Sequence, residues 1–253
     1  MGNLFKSKFY HEYLSLFSTT FKTIYRNRKN TKLEPEVSIL NKFVSPGNVC
    51  VDIGGAYGRY ALPLSRLVGK TGMIYSFEPG YYSYKVISFI LKFSGLKNVV
   101  IIKKALSNCS GQIKLISPIK RSGKVGASLS YISESENKDA VCELVPMTTL
   151  DSFCSENDIK EVSFIKCDTE GSEFLIYQGA GKIIADQKPT ILSEVDTNNL
   201  NRYHHTVKDL EEFFFKKNYR IFVLEAGTLK EIKHITANGN YFFVHESKCK
   251  NIV

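Results

Sequence analysis

The chain has 253 residues, of which 43% are hydrophobic and 23% are charged, and its formal net charge is +9. These values are ordinary for a globular protein and allow one full α/β core with an appendage. No run approaches the roughly 18 apolar residues of a membrane span, and the first residues lack the apolar core of a signal peptide. The sequence therefore predicts a soluble, unprocessed protein.

Residues 1–46 are predicted to form a basic helical extension ahead of a main domain at 47–253. Residues 1–32 hold seven Lys or Arg and one acid, Glu12, and the basic residues alternate with aromatic ones. Such a segment suits peripheral contact with anionic lipid, nucleic acid or an acidic partner chain. We favour a solvated basic helix that packs on the domain through its aromatic residues. We expect no DNA partner.

Short apolar strand-like runs alternate with helix-like stretches through the centre of the chain. The predicted strands are 48–53, 72–77, 98–102, 162–167 and 190–195, and the predicted helices are 59–68, 81–93, 172–186 and 206–217. This alternation indicates a parallel sheet with helices on both faces. In such a sheet ligands bind beyond the carboxyl ends of the strands, so the residues there are candidate site residues.

Two regions depart from the alternation. Residues 111–118 and 140–150 have the pattern of strands around a polar segment, and we expect residues 118–138 to form a substrate flap near the ligand-binding edge. Residues 219–227 and 241–247 have the pattern of two strands joined by a polar, hairpin-type connection. An antiparallel pair of this kind would close the parallel sheet.

The first predicted strand runs into the glycine-rich string VDIGGAYGRY. A dinucleotide-binding turn needs glycine at i, i+2 and i+5. Counted from Ile53, this chain has Gly55 and Gly58 but lacks the first glycine. Gly54, Gly55 and Gly58 instead follow directly after Asp52. A carboxylate at the strand tip repels a diphosphate and attracts a cationic ligand.

The second predicted strand ends at Glu78. A carboxylate there can accept hydrogen bonds from both hydroxyls of a ribose. The alternative is a surface acid that caps the turn before Pro79. S-adenosylmethionine has a ribose, a sulfonium and an ammonium group, and no phosphate. Because it suits both acidic strand tips, it is the ligand that we predict.

Acids also gather at the ends of the fourth and fifth predicted strands. Asp168 and Glu170 follow the fourth strand within CDTEGSE, and Glu194 lies at the end of the fifth. These carboxylates can act as the base for an acceptor hydroxyl, or Asp168 and Glu194 can share a Mg²⁺ ion that lowers the pKa of the hydroxyl. Glu173 lies in the first turn of a predicted helix, where an acid needs no ligand.

Two histidines, His204 and His205, follow the fifth predicted strand and belong to the same edge of the sheet. Either imidazole could take the proton of the acceptor as a catalytic base. An exposed loop histidine is the plainer interpretation of each. Thr206 and Asp209 then predict the start of a helix.

The six cysteines include no CxxC pair, and Cys50 and Cys167 fall within predicted strands. Buried, reduced thiols explain this pattern better than disulfides or a zinc site. We therefore expect a cytoplasmic protein.

The strings VDIGGAYGRY, YSFEP, NVVIIKKALSNCSG, TTLDSF and FIKCDTEGSEFLIYQGA resemble the FkbM family of S-adenosylmethionine-dependent methyltransferases. The resemblance covers residues 49–194, and FIKCDTEGSE followed by QGA is its most specific part. The chain departs at Gly55, Thr169 and Gly80, where the family usually has alanine, valine and asparagine. None of these departures removes a side chain that the chemistry needs.

The resemblance implies an α/β fold, the Rossmann-like class I methyltransferase: a seven-stranded, mostly parallel sheet with an antiparallel last strand. It also implies methyl transfer to a hydroxyl of a saccharide, glycan or related small molecule. Asp52 and the glycine turn would hold the methionine part of the cofactor, Glu78 its ribose, and residues past the third strand its adenine. The implied cofactor-binding residues are Asp52, Gly54, Gly55, Ala56, Gly58, Glu78, Pro79, Ala105, Leu106, Ser107 and Asp168.

Other functions fit parts of the sequence. A nicotinamide oxidoreductase would use the same Glu78 but needs the glycine that is missing at position 53. An enzyme that methylates base amino groups usually has prolines after the acid of the fourth strand, and CDTEG has none. An S-adenosylmethionine-binding protein without activity stays an alternative, and so does an RNA ribose methyltransferase that uses Lys166 with Asp168.

Overall fold

The computed structural model describes residues 15–27, 29, 33–119, 126–134 and 140–251. The predictions made for residues 1–14, and for residues 120–125 and 135–139 of the flap segment, lie outside the described residues. The division into an extension and a main domain at residue 46 stays a prediction.

The described residues contain twelve strands in two sheets. They are β1 (Val49–Ile53), β2 (Met73–Phe77), β3 (Val99–Ile102), β4 (Ala105–Leu106), β5 (Gly111–Pro118), β6 (Tyr131–Ser133), β7 (Ala140–Thr148), β8 (Phe164–Cys167), β9 (Thr190–Val195), β10 (Tyr219–Glu225), β11 (Thr228–Ile232) and β12 (Gly239–His245). The first sheet has the order β11-β10-β12-β9-β8-β1-β2-β3, and the second has the order β4-β7-β5-β6.

The large sheet confirms the predicted fold class. Strands β3, β2, β1, β8 and β9 are mutually parallel, and β12 pairs antiparallel with β9. The sheet has eight strands rather than seven because the polar connection after β10 contains β11. Ala226 and Gly227 have φ values of 48° and 81°, and they form a two-residue turn between the paired Glu225 and Thr228. Positive φ at both central positions matches the twist of a hairpin.

Helices cover both faces of the large sheet. They are the described part of α1 (residues 15–27), α2 (Ala61–Val68), α3 (Tyr81–Ser94), α4 (Leu150–Glu156), α5 (Glu173–Gln178), α6 (Gly181–Gln187), α7 (Thr197–Asn201) and α8 (Val207–Phe215). The helix predicted at 172–186 is two helices, because Gly179 and Ala180 interrupt it. A Cβ on Gly179 would overlap the carbonyl oxygen of Ser107, so the chain passes close to its neighbour there. Helix α4 was not predicted.

The strands alternate between two hydrophobic clusters, one on each face of the sheet. Val51 and Ile165 point to the side of α4, α5, α6 and α8, whereas Cys50 and Phe164 point to the side of α2 and α3. Burial on both faces is the reason that these parallel strands are mostly apolar. No helix among the described residues is long and apolar enough to cross a membrane.

Helix α1 packs on α3 by one face. Leu16 and Ile24 join a cluster with residues of α2 and α3, and Phe17 and Phe21 lie against the ring of Phe93. Contact of residues 1–32 with lipid or an acidic partner stays a prediction.

Candidate functional site

The site lies where β1, β2, β8 and β9 end. Asp52 of β1 is paired with Ser76 of β2 on one side and with Lys166 of β8 on the other. The chain then turns at Gly54, which has a φ of +78°. A Cβ at this position would overlap the carbonyl oxygen of Asp168. Glycine is therefore required, both by the backbone conformation and by the close approach of the two strand ends.

Asp52 is buried beneath the glycine turn. The hydroxyl of Ser76 donates a hydrogen bond to Asp52 Oδ2 at 3.1 Å, and burial raises the pKa of Asp52 to about 6. A Cβ on Gly55 would overlap this same hydroxyl. The glycine at position 55, where the family usually has alanine, thus makes room for the bond between Ser76 and Asp52.

Glu78 joins the end of β2 to the glycine turn. It is only 6% exposed, and it accepts hydrogen bonds from the N–H groups of Ala56 at 2.8 Å and Gly80 at 2.9 Å. Burial raises the pKa of Glu78 to about 8. Its burial is inconsistent with the alternative of a surface acid that caps a turn.

A cavity opens beside Glu78, and we call it the Glu78 cavity. Apolar side chains form most of its walls, and β6 of the second sheet and a 3-10 helix at Ala127–Leu129 cover it. Its lining residues are Ile53, Gly54, Ala56, Phe77, Glu78, Pro79, Lys104, Ala105, Leu106, Leu115, Ala127, Ser130, Tyr131, Ile132, Asp168, Thr169, Glu170 and Ser172. Ser107 does not line it; this residue is buried, and its N–H donates to the carbonyl oxygen of Thr148.

A second cavity of about 240 Å³ adjoins the first, and we call it the acidic cleft. The two cavities share Gly54, Ala56, Asp168 and Glu170. The lining residues of the acidic cleft are Asp52, Gly54, Gly55, Ala56, Arg59, Tyr60, Leu129, Lys166, Asp168, Glu170 and Glu194. The predicted residues of strands one, four and five therefore come together around one space.

Lys166 carries a buried positive charge into the acidic cleft. Its side chain is 1% exposed, and its ammonium lies 3.9 Å from Asp168 Oδ2. It donates to Asn240 Oδ1 at 3.1 Å and lies 5.1 Å from the ring centroid of Tyr60. The sequence suggested Lys166 only as part of an RNA-modifying pair. Lys166 lies in an otherwise apolar strand, and a buried charge needs a partner of opposite charge. This position could therefore have predicted that Lys166 lies beside an acid.

Asp168 and Glu194 form a pair of carboxyl groups at neighbouring strand ends. Burial, and next the adjacent Asp168, raise the pKa of Glu194 to about 8. Two acids so close together cannot both ionise easily. Burial and the neighbouring carboxyl group therefore both favour the protonated form of Glu194.

Hydrogen bonds to two acidic side chains, Glu170 and Glu173, stabilise the turn after β8. The side chain of Asn199 donates to Glu170 Oε2 at 3.0 Å, and Glu170 has a φ of +58°. Glu173 is 2% exposed, and it accepts hydrogen bonds from the N–H of Thr169 at 2.7 Å and from the Thr169 hydroxyl at 2.9 Å. Glu173 thus stabilises the turn, whereas Glu170 reaches both cavities.

His204 and His205 do not line either cavity. His204 is exposed, and the ring of His205 packs edge-on against Phe174 with 4.6 Å between centroids. A catalytic role for either histidine stays a prediction that no contact supports.

The donor groups present do not fit the predicted Mg²⁺ ion. Among the described residues, no group of three or more His, Cys, Asp or Glu side chains is placed to hold a metal. Asp168 and Glu194 supply two carboxyl groups, and the ammonium of Lys166 already lies against Asp168. The pair therefore balances its charge with a lysine and a proton.

This fold and site define the class of the protein. A mostly parallel sheet that ends in an antiparallel strand, with acids at the tips of β1 and β2 around a glycine turn, is that of a Rossmann-like methyltransferase. The model of the methyltransferase FkbM domain matches residues 52–221. The chain belongs to the FkbM methyltransferase family and is a methyltransferase, as the sequence predicted.

Solved structures share the fold at low sequence identity. The FkbM methyltransferase of Methylobacillus flagellatus KT superimposes with a TM-score of 0.52 at 15% identity, over 79% of this chain and 44% of that one. The chain thus spans less than half the length of that relative. A search of curated proteins found no match.

Two further structures are similar at a lower level. A SAM-dependent methyltransferase of Aquifex aeolicus has a TM-score of 0.43 at 15% identity, over 84% of this chain and 90% of that one. Aeropyrum pernix fibrillarin with bound S-adenosyl-L-methionine has a TM-score of 0.46 at 12% identity, over 80% of this chain and 68% of that one. Below a TM-score of 0.5, these likenesses are too weak to support a conclusion about this chain.

Proposed function

We propose that the chain transfers a methyl group from S-adenosylmethionine to a hydroxyl oxygen of a saccharide or related small molecule. The observation that carries this proposal is the meeting of two unlike cavities at Gly54 and Asp168. One suits an adenosine, and the other presents carboxyl groups to a hydroxyl.

The Glu78 cavity has a volume of about 60 Å³, and its lining has the chemistry that suits the adenosine part of the cofactor. Ile53, Phe77 and Leu106 offer apolar surface to a base, and the buried Glu78 can accept hydrogen bonds from a ribose. No Lys or Arg lies between Asp52 and Gly58, so nothing in the turn favours a diphosphate. When bound, S-adenosylmethionine supplies a methyl group activated by a positive sulfonium.

Asp52 and the glycine turn would hold the methionine part. The turn carries the buried acid at its base, and Gly54 and Gly55 line the acidic cleft beside it. A negative charge at this point favours a cationic group over a phosphate.

Asp168 is the base that we propose for the acceptor hydroxyl. Its side chain lines the acidic cleft and is 38% exposed, whereas the raised pKa of Glu194 beside it favours the protonated form of that acid. A positioned base accelerates the loss of a hydroxyl proton as the new bond forms. Lys166 offsets the negative charge of the pair, and Leu129 adds an apolar side chain to the lining of the cleft.

Asp168→Asn tests this assignment. We expect turnover to fall by about 10²–10⁴-fold, since a general base contributes about that much. The measurement is transfer of labelled methyl to a panel of saccharides, with calorimetry of S-adenosylhomocysteine binding in parallel. Asp158→Asn is the matched control, because Asp158 is 81% exposed and pairs only with Lys160.

The outcomes separate the alternatives. Unchanged turnover in Asp168→Asn contradicts the role of base, and cofactor binding without turnover on any acceptor favours a binding protein without activity. Transfer to RNA alone favours the ribose methyltransferase that Lys166 and Asp168 suggested. Turnover that EDTA leaves unchanged excludes the Mg²⁺ role predicted for Asp168 and Glu194.

We place the reaction in the cytoplasm. The support is chemical: Cys50, Cys154, Cys167 and Cys249 are buried thiols, and the structure has no disulfide among the described residues. Reduced cysteines of this kind are typical of a reducing compartment.

A further inference from the structure

A third cavity lies between α1 and the glycine turn, next to the acidic cleft. We call it the basic cleft, and its volume is about 380 Å³. Its lining residues are Thr19, Lys22, Thr23, Arg26, Asn27, Leu33, Glu34, Tyr57 and Arg59. The chemistry proposed above uses none of these residues except Arg59, which also lines the acidic cleft.

One face of α1 forms a wall of the basic cleft. Thr19, Lys22, Thr23, Arg26 and Asn27 recur at helical spacing, whereas the opposite face packs on the core. The helix thus lines the cavity with two solvent-exposed cations and with polar side chains.

Asn27 indicates that this wall is suited to a polar ligand. The residue is 4% exposed, and its Nδ2 donates to the carbonyl oxygen of Thr23 at 3.3 Å. Its Oδ1 has no hydrogen-bond partner among the described residues. A buried polar atom without a partner is costly, and this cost falls on a side chain in the wall of the basic cleft.

The charge of the basic cleft is positive. Lys22, Arg26 and Arg59 stand against a single acid, Glu34, which pairs with Arg59 at 3.0 Å. Three positive charges and one negative charge leave +2. A phosphate monoester carries about −1.5 to −2 at neutral pH, and guanidinium groups bind phosphate oxygens in pairs.

Arg59 joins two cavities of opposite character. The acidic cleft contains Asp168 and Glu194, which disfavour an anion, whereas the basic cleft favours one. We propose that the methyl acceptor bears a phosphate group, which Lys22, Arg26 and Arg59 bind in the basic cleft while the acceptor hydroxyl reaches Asp168. This inference rests on the proposed function.

The test uses the full chain saturated with S-adenosylhomocysteine and measures binding of glucose 1-phosphate, inorganic phosphate, glucuronate and glucose by calorimetry. We expect the two phosphates to bind and glucose and glucuronate to bind at least about tenfold more weakly. The double variant Lys22→Ala/Arg26→Ala should weaken phosphate binding roughly tenfold or more, since it removes two of the three cations that would make charge-assisted hydrogen bonds to the phosphate.

Two single variants should change the affinity in opposite directions. Arg59→Gln removes a cation and should weaken phosphate binding. Glu34→Gln removes the acid that competes for Arg59 and should strengthen it. The matched control for the double variant is Lys208→Ala/Lys216→Ala, which removes two exposed lysines from the ion pairs of α8 and should change nothing.

Three outcomes would overturn the inference. One is phosphate binding that the Lys22→Ala/Arg26→Ala variant leaves unchanged, and another is equal binding of glucuronate or glucose. The third is no binding of either phosphate probe together with sedimentation on phosphatidylglycerol vesicles that this variant abolishes, which would assign the cations to a lipid surface. Binding of S-adenosylhomocysteine is measured separately, so failure of the proposed function is distinguishable.

Discussion

The Glu78 cavity and the acidic cleft share one glycine turn but differ in their walls. The first is mostly apolar, with one fully buried acid that two backbone N–H groups hold in place. The second is lined by four carboxyl groups, a buried lysine and an arginine. One half of the site is thus built to fit a ligand by shape and a single polar anchor. The other is built to control where a proton resides.

Gly54→Ala should break both cavities at once and has the largest expected effect. The added Cβ overlaps the carbonyl oxygen of Asp168, and the φ of +78° disfavours any side chain. We expect a loss of about 3–5 kcal/mol in the free energy of unfolding and loss of S-adenosylhomocysteine binding. Denaturant titration and calorimetry measure the two effects.

Gly95→Ala is the matched control for this variant. Gly95 has a φ of +66°, but nothing lies within 4 Å of its added Cβ. It should lose only the cost of the left-handed conformation, about 1–2 kcal/mol, and should bind cofactor normally. Equal effects of the two variants would contradict the close approach of β1 and β8 as the reason for Gly54.

Glu78→Ala should separate the two cavities. We expect the affinity for S-adenosylhomocysteine to fall roughly 10-fold to 100-fold, since each of the two hydrogen bonds to the ribose contributes about 0.5–1.5 kcal/mol. The N–H groups of Ala56 and Gly80 also lose their acceptor. Asp168→Asn should show the reverse pattern, with normal cofactor affinity and impaired turnover. A Glu78→Ala protein with unchanged cofactor affinity would exclude the ribose role.

The sequence was most informative about the half of the site made by strand ends. Asp52, Glu78, Asp168 and Glu194 each follow a short apolar run, and parallel strands carry their ends to one edge. The alternation of strands and helices therefore predicted which acidic residues lie together, and the resemblance to the FkbM family supplied the ligand that they are expected to bind.

The sequence was least informative where contacts join distant segments. The cover of the Glu78 cavity comes from β6 and the 3-10 helix Ala127–Leu129. The sequence predicted a flap at residues 118–138 near this edge but no elements within it, because each is only three residues long. Arg59 and Tyr60 line the acidic cleft because the chain folds back toward the cleft after the glycine turn. The basic cleft requires α1 to dock on α3. Each depends on tertiary packing, which a strand or helix pattern does not encode.

The smallest expected effect is a pH dependence that compares one acid from each cavity. Burial raises the pKa of Glu78 and, together with Asp168, that of Glu194, each from 4.5 to about 8. The folded protein therefore holds protons that the unfolded chain releases between these values. Stability that is fully present below about pH 4.5 is then lost as the pH rises through 8.

We accordingly expect the free energy of unfolding to fall between about pH 5 and pH 8, measured by denaturant titration at each pH. Glu78→Gln should remove more of this slope than Glu194→Gln, because Glu78 is fully buried whereas Glu194 is half-buried and better screened. The double variant should flatten the profile further. If both single variants keep the slope of the original protein, neither glutamate holds its proton in the folded state, and the assignment of the shared proton to Glu194 fails.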